Sequence, residues 1–404
     1  MEITLINLPS PFLINDSVFP PLGIMNLSSS LKQEGISAQC LDFSLGSTIL
    51  DIQSNIVGIS FTSSQKEEAF KIADSLRKDK ILIAGGPHPT HVPQECVKHF
   101  DYVVQGEADY TLPILLKRLR LGLNSDTIIP PILVDIESIP FPDRDALPIS
   151  SYTYLLNNEK ATPLMTSRSC PYKCSYCGKL NNDYRAYSAQ RTVDEIKYIH
   201  QRYGFSAFMI FDDTFIINQK RLEEIVYLLK GESFIFRCFG RANLLISEVC
   251  HLLKKMNVVE VGVGIESGSD TVLQINMKGT SRDQNFQAVA NLHAAGIRVK
   301  AFIIVGLPGE TEETVNETRS WIDIAKPDDF DFSVFQPMPG SEVYKNPEKY
   351  KITIESKLCG TWYKGRPGSY ISVSRTKELS ADRIVQLRDE LEHTYKKGFE
   401  ECHF

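Results

Sequence analysis

No run of about 18 consecutive apolar residues occurs in this 404-residue chain, so the sequence offers no membrane-spanning helix. The opening segment, MEITLINLPSPFLIND, has no basic stretch followed by an apolar core and a small-residue cleavage site, which removes the usual secretory leader and leads us to expect a cytoplasmic protein. Charge of one sign is also scarce. A formal net charge of -6 gives no broad basic surface, so neither a nucleic-acid nor a membrane partner is expected. Nine cysteines is an odd number, and six of them (Cys40, Cys96, Cys238, Cys250, Cys359, Cys402) follow no pattern, which excludes a disulfide framework. With 42% hydrophobic and 23% charged residues the chain is neither disordered nor fibrous, and it is long enough for two ordinary domains.

What is present is an alternation of short apolar runs with helical patterns. In the first part the runs are EITLINLP, IVGISF, ILIAGG and DYVVQGE. Strands apolar on both faces and separated by helices imply a parallel sheet covered on both sides, a doubly wound α/β domain of Rossmann-like or flavodoxin-like type whose ligands bind at the strand C-termini. Gly35 is expected to stop the first helix, and Ser63 or Ser64 to cap the one that begins QKEEAF. Prolines crowd IIPPILVDIESIPFPDRDALP and predict an extended connection. Beyond it come ATPLMTSRSC, AFMIFDD, FIFRCFGR, VEVGVGIES, VKAFIIVGLPGET and DFDFSVFQPMPG, six repeats that suit an open, partial TIM-type barrel. The expected organisation is a domain over 1–130, a linker over 131–160, a partial (β/α)6 barrel over 161–340, and a short, mostly helical C-terminal extension over 341–404.

Three cysteines stand apart from the rest. Cys170, Cys174 and Cys177 lie within eight residues of one another on the loop after the first barrel strand. Closely spaced thiolates of this kind hold iron-sulfur clusters, and three ligands on a cubane leave one iron open to a small chelating molecule. Structural zinc would want four ligands in pairs, and no fourth Cys or His follows nearby; His200 falls inside a predicted helix.

The C-x3-C-x-aromatic-C loop, followed in order by FDD, GRANLL, VGVGIESGSD, LQINMKGTSRD, VGLPGET and QPMPGSEVY, resembles the radical S-adenosylmethionine (SAM) superfamily over nearly the whole barrel. The resemblance implies a 4Fe-4S cluster on Cys170, Cys174 and Cys177, with SAM chelated at the open iron. It places Tyr176 against the adenine, Asp212 or Asp213 at the SAM ammonium, and Glu266 and Ser267 at the ribose or amine. Gly306 and Leu307 would let the backbone approach the adenine. The family's glycine-glycine-glutamate pattern is here Phe211-Asp212-Asp213. Arg237 and Arg241 alternate along the third strand, so one of them is positioned to clamp the SAM carboxylate, while a salt bridge between Arg241 and Glu266 is the structural alternative.

The N-terminal domain resembles that of the cobalamin-binding subgroup of the same superfamily. The matching strand ends are Pro21-Leu22-Gly23, Ser60 with Thr62, Gly85-Gly86 with His88, and Gly106-Glu107. The resemblance implies cobalamin at these residues. The D-x-H-x-x-G motif of histidine-ligated cobalamin proteins is absent. His88 and His91 are therefore expected as turn or surface residues rather than cobalt ligands.

Taken together these features imply a cobalamin-dependent radical SAM methyltransferase that activates an inert carbon or phosphorus centre of a small-molecule or peptide substrate. Its reducing partner would be flavodoxin or ferredoxin. A cyclising, rearranging or deoxygenating radical enzyme is the nearest alternative, and a non-enzymatic iron-sulfur or corrin sensor is the other. The substrate is expected near the tail that contains Cys359, Trp362, Tyr363 and Tyr370.

Overall fold

The computed structural model describes residues 1–11, 13, 15–180, 183–356 and 368–396. It divides into two compact units, one essentially Met1–Thr153 and the other beginning at Tyr154. No helix among the described residues is long and apolar enough to cross a membrane.

In the first unit the strands are β1 (Ile3–Asn7), β2 (Ala38–Asp42), β3 (Ile56–Ser60), β4 (Ile81–Gly85), β5 (Tyr102–Val104) and β6 (Ile128–Ile129). The helices are α1 (Leu22–Gln33), α2 (Lys66–Leu76), the short α3 (Pro87–His91) and α4 (Pro93–Cys96), and α5 (Thr111–Arg120). The sheet is parallel in the order β2-β1-β3-β4-β5-β6, the flavodoxin-like version of a doubly wound fold. Ile6, Val57, Ile59, Leu82, Ala84 and Val103 are almost fully buried against Ala69, Ala73 and Phe100, the two-sided burial that such apolar strands require. Gly35, at φ +71, follows α1 as expected. The cap before α2 is neither Ser63 nor Ser64. Thr62 closes a reciprocal capping box with Gln65 over a 3-10 turn at Ser63–Gln65.

The connection is not the extended linker over 131–160. Residues 131–153 belong to the first unit, where Val134, Ile136, Ile139 and Tyr152 are buried. Asp143 N donates to Met25 O, and Tyr152 donates its hydroxyl proton to Asp42 at 2.6 Å. The prolines interrupt regular structure, but the apolar residues between them still gain by leaving water.

The second unit carries β7 (Leu155–Leu156), β8 (Glu159–Leu164), β9 (Ser167–Arg168), β10 (Arg185–Ala186), β11 (Ala207–Ile210), β12 (Ile235–Gly240), β13 (Val258–Glu266), β14 (Arg298–Val305) and β15 (Asp329–Val334). Its helices are α6 (Ala189–Tyr203), α7 (Gln219–Leu228), α8 (Ser247–Lys255), α9 (Asp270–Ile275), α10 (Arg282–Ala294), α11 (Glu312–Ala325), α12 (Glu342–Lys345) and α13 (Ala381–Tyr395). Strands β8, β11, β12, β13, β14 and β15 form a parallel run in sequence order, and β7 adds an antiparallel edge. This is the expected partial barrel. One face of β13 presents Val261, Val263 and Ile265, all fully buried, while the other presents Glu260, Gly262 and Gly264. The glycines are required there, because a Cβ at Gly262 would stand 2.6 Å from the Phe302 ring and 2.8 Å from Phe239.

Candidate radical SAM site and corrin cradle

The cysteine loop is fixed at its base before it reaches the first sulfur. Asp212, just past β11, accepts hydrogen bonds from Thr166 N (2.6 Å), Thr166 Oγ1 (2.6 Å) and Ser167 Oγ (2.7 Å). Burial pushes its carboxyl above the ordinary range, against the pull of these donors and of Arg221. Asp212 thus tethers the strand that leads into the loop, with both carboxylate oxygens already engaged by the protein's own donors. Asp213 is exposed at the same strand end.

Further along, Cys170 Sγ lies 3.9 Å from Thr214 Oγ1, and Cys174 Sγ accepts a hydrogen bond from Arg241 Nη1 at 3.5 Å. The Arg241 guanidinium also rests 3.9 Å over the Tyr172 ring, a cation-π contact that holds it beside the sulfur. Ser175 is held to Asn276 through both backbone (3.0 Å) and side chain (3.1 Å), and Asn276 in turn donates to Val272 O and Pro308 O. On the other side Val343 N donates to Ser175 O, and a Cβ at Gly178 would stand 2.7 Å from Pro339 O. None of the three cysteines on this loop is fully buried: Cys170 and Cys174 are half-buried and Cys177 is exposed. By contrast, burial pushes the thiols of Cys40, Cys96 and Cys250 up to about 12, and that of Cys238 up as well. Thiolate chemistry is therefore suppressed at these four.

Among the described residues no three His, Cys, Asp or Glu side chains stand close enough to share one metal ion. A cubane asks for something different, since each of its three thiolates takes its own iron corner. Three thiols close together on a braced loop, one of them hydrogen-bonded by a guanidinium, fit that demand.

At the end of β13 the register shifts, and Glu266 adopts φ +64, a strained conformation for a residue with a Cβ. Its partner is not Arg241. Lys278 Nζ stands 2.7 Å from Glu266 Oε1, both side chains buried. The Tyr176 ring packs against the cluster of Val272, Leu307, Phe335 and Val343, with its hydroxyl buried beside Cys174. Burial, and then the charges of Glu266 and Cys174, push that phenol well above its usual range. Arg241 Nε is likewise buried without a hydrogen-bond partner, leaving a donor for an incoming anionic group.

Two further expected ligand residues also have close protein partners. Ser267 is fully buried, 3.3 Å from Thr318 Oγ1, and accepts from Ser269 N. Gly306, at φ +95, donates its N–H to the Glu310 carboxylate, and a Cβ there would stand 2.8 Å from Ile384 of α13 rather than in open space. Arg237 is also committed, to Glu260 at 2.6 Å and to the Tyr154 hydroxyl at 3.1 Å, so of the two arginines only Arg241 reaches the cysteine loop. Cys359, Trp362 and Tyr363 lie outside the described residues, whereas Tyr370 is buried beneath the Arg388 guanidinium.

On the first unit's sheet the expected corrin residues do collect along the C-terminal edge. Pro21 caps α1, Leu22 is buried in its first turn, and Gly23 is exposed. Ser60 ends β3, and Thr62 is exposed just beyond. A Cβ at Gly23 or Gly85 would meet nothing within 4 Å, so a large flat ligand has room there. At Gly86 it would stand 2.9 Å from the Phe61 backbone, and at Gly106 2.6 Å from Pro131, so neither position has room for a side chain. Glu107 is half-buried after β5. His88 is not a surface residue. It is 2% exposed, its Nδ1 lies 3.0 Å from Ser63 Oγ, and its Nε2 lies 3.2 Å from Glu95 Oε2.

Residues 164–322 match the model of the radical SAM superfamily, and residues 16–116 match that of the B12 binding domain. The chain thus carries a B12-binding domain followed by a radical SAM domain. An uncharacterized methyltransferase of Pyrococcus horikoshii is 28% identical, over 91% of this chain and 86% of its own. The anaerobic magnesium-protoporphyrin IX monomethyl ester cyclase of Rubrivivax gelatinosus is 25% identical, over 81% and 66%. Among solved structures, the radical SAM methyltransferase TsrM of Kitasatospora setae, with tryptophan substrate and a SAM analogue bound, superposes with a TM-score of 0.72. It is 17% identical, over 86% of this chain and 76% of its own.

Reading the radical SAM motifs alone missed Lys278, Asn276, Thr214 and Tyr172. Lys278 and Asn276 stand inside the quoted LQINMKGTSRD, but nothing local shows that one meets Glu266 and the other Ser175.

Proposed function

We propose that this protein is a cobalamin-dependent radical SAM methyltransferase that acts on an unactivated carbon or phosphorus centre of a small-molecule or peptide substrate. The observation that carries the proposal is the pairing, in one chain, of a braced loop with three closely spaced cysteines and a parallel sheet whose C-terminal edge is open at Gly23 and Gly85. Held by Cys170, Cys174 and Cys177, a 4Fe-4S cluster with SAM supplies reductive carbon-sulfur cleavage, and cobalamin supplies a transferable methyl group.

The chain's own residues bind and orient. Arg241 offers its unpartnered Nε to the SAM carboxylate while its Nη1 steadies Cys174. The Glu266–Lys278 pair presents an acceptor and a donor to ribose hydroxyls, and Tyr176 with Leu307 supplies an apolar wall for the adenine. Asp213, exposed beside Thr214, is the carboxylate for the SAM ammonium in place of Asp212. Pro21, Leu22, Gly23, Ser60, Thr62, Gly85, Gly86, Gly106 and Glu107 shape the corrin cradle. The exposure of Cys177 suits electron delivery by a flavodoxin or ferredoxin. Neither nucleic acid nor membrane is part of the scheme, and a cytoplasmic location is.

Anaerobic reconstitution of the full chain with iron, sulfide and hydroxocobalamin tests this. About four irons and about one cobalt per chain are expected, together with transfer of the trideuterated methyl group of labelled SAM to product. Iron without cobalt removes the methyltransferase and leaves a radical SAM enzyme of another class. The similarity to a cyclase makes an unlabelled, rearranged product the specific alternative.

A further inference from the structure

On the face of the second unit's sheet that carries Arg241 and Glu266, three phenylalanines take no part in the site described above. They are Phe211 at the end of β11, Phe239 in β12 and Phe302 in β14. The rings of Phe211 and Phe239 lie within 19° of parallel with centroids 6.4 Å apart, and Phe302 stands 5.7 Å from Phe239, tilted 57° to it. Glycine makes the meeting possible. The rings of Phe239 and Phe302, from the strands on either side of β13, close over Gly262 in the space that a Cβ would fill.

Burial changes abruptly along this face. Two residues before each ring, Met209, Arg237 and Lys300 are 1%, 2% and 5% exposed, so the interior is filled at that depth. Arg237 and Lys300 are held there by Glu260 and Asp329, at 2.6 and 2.9 Å. The three rings themselves are only half-buried, although β11, β12 and β14 are all inner strands of the sheet. On the opposite face of the same strands Phe208 and Phe236 are fully buried. A ring on an inner strand that still meets solvent borders a recess. Two residues beyond Phe239, Arg241 reaches the Cys174 sulfur, so the recess adjoins the cysteine loop.

The floor of this recess offers ring faces and glycine backbone. The charged groups around it are already engaged: Lys278 with Glu266, Arg241 with Cys174 and Tyr172, while Asp331, in register with Phe302, has a partner of its own. An ion set down on the rings would lose water without gaining a counter-charge, whereas a flat apolar group leaves water and gains offset or edge-on ring contacts. We infer that Phe211, Phe239 and Phe302 are specificity-determining residues that seat an uncharged, flat ring group of the substrate beside the cysteine loop. The inference rests on the methyltransferase reading above for making that occupant a substrate, and it narrows the substrate to one that carries such a ring.

The test is fluorine NMR titration of the anaerobically reconstituted full chain with three probes of one shape: a ring-fluorinated naphthol, the matching naphthoate and the matching naphthylmethylammonium. The wild-type protein should bind the naphthol saturably and about tenfold more tightly than either ion. Phe302→Leu keeps an apolar surface but removes a ring face, and should weaken the naphthol about three- to tenfold with melting temperature and iron content unchanged. Phe211→Lys should reverse the order and make the naphthoate the tightest of the three, a change that general loss of structure does not produce. No preference for the naphthol in the wild-type protein, an unchanged preference and affinity in both variants, or uniform weakening of all three probes with their order preserved overturns the inference, and the methyltransferase reading then still stands if the protein cleaves SAM and transfers its methyl group. Failure to take up iron and cobalt removes that reading without altering the order in which the probes bind.

Discussion

Lys278 Nζ stands 2.7 Å from Glu266 Oε1, and a methyl group at Gly264 would lie 2.9 Å from that ammonium and 2.5 Å from that carboxylate oxygen. Lys278 and Glu266 thus form one buried ion pair at the C-terminal end of β13, in space that Gly264 leaves open. Removing one partner leaves an uncompensated charge in a poorly solvated place.

Lys278→Met should accordingly lower the unfolding free energy by about 3–5 kcal/mol. The double variant Lys278→Met with Glu266→Gln should recover most of the loss, because no lone charge remains. Urea unfolding of the three proteins checks this, and additive losses would show that the pair is not coupled.

Glu310 sets a pH dependence. Burial raises its carboxyl from 4.5 to about 8, although Gly306 and Leu307 donate backbone hydrogen bonds to it. Its folded pKa is above the unfolded one, so the folded state binds the extra proton between the two. Stability from this group is fully present below about pH 4.5 and is lost as pH rises toward about 8. Thermal melts of the wild-type protein across that window should show the decline, and Glu310→Gln should flatten it.

Gly306→Ala should be costly for two separable reasons. The backbone is at φ +95, and the new Cβ would stand 2.8 Å from Ile384. A loss of about 1–3 kcal/mol is expected. Adding Ile384→Ala should relieve the clash and leave the backbone strain, so a partial rescue in denaturant titration supports the packing role and no rescue contradicts it.

Arg241 touches Cys174 and covers Tyr172, so its loss should act on the cluster. Arg241→Ala and Arg241→Lys should both lose iron to a chelator severalfold faster than the wild-type protein, the lysine lacking a planar cation to bridge ring and sulfur. Retention of iron by Arg241→Lys at the wild-type rate would reduce the contact to simple charge.

How far the chain could be read in advance follows from the range of each interaction. The cysteine loop was legible because its ligands are close in sequence, and the six barrel strands because apolar runs alternate with helical ones. Strand β2 escaped because AQCLD is half polar, the result of an edge position in its sheet. The fates of Asp212, His88 and Gly306 were invisible because each is decided by a partner far along the chain or across a turn: Thr166, Glu95 and Ile384. A carboxylate after an apolar strand looks the same whether it faces a ligand or tethers a neighbouring strand. The proline-rich segment misled for a related reason, since prolines forbid helix and strand without forbidding burial.

The most direct test of the cluster assignment is chromatographic assay of 5'-deoxyadenosine after anaerobic reconstitution and reduction with SAM. The wild-type protein should release it, and Cys170→Ser, Cys174→Ser and Cys177→Ser should each abolish release while still binding hydroxocobalamin normally. Undiminished cleavage by any one of these variants would contradict the account.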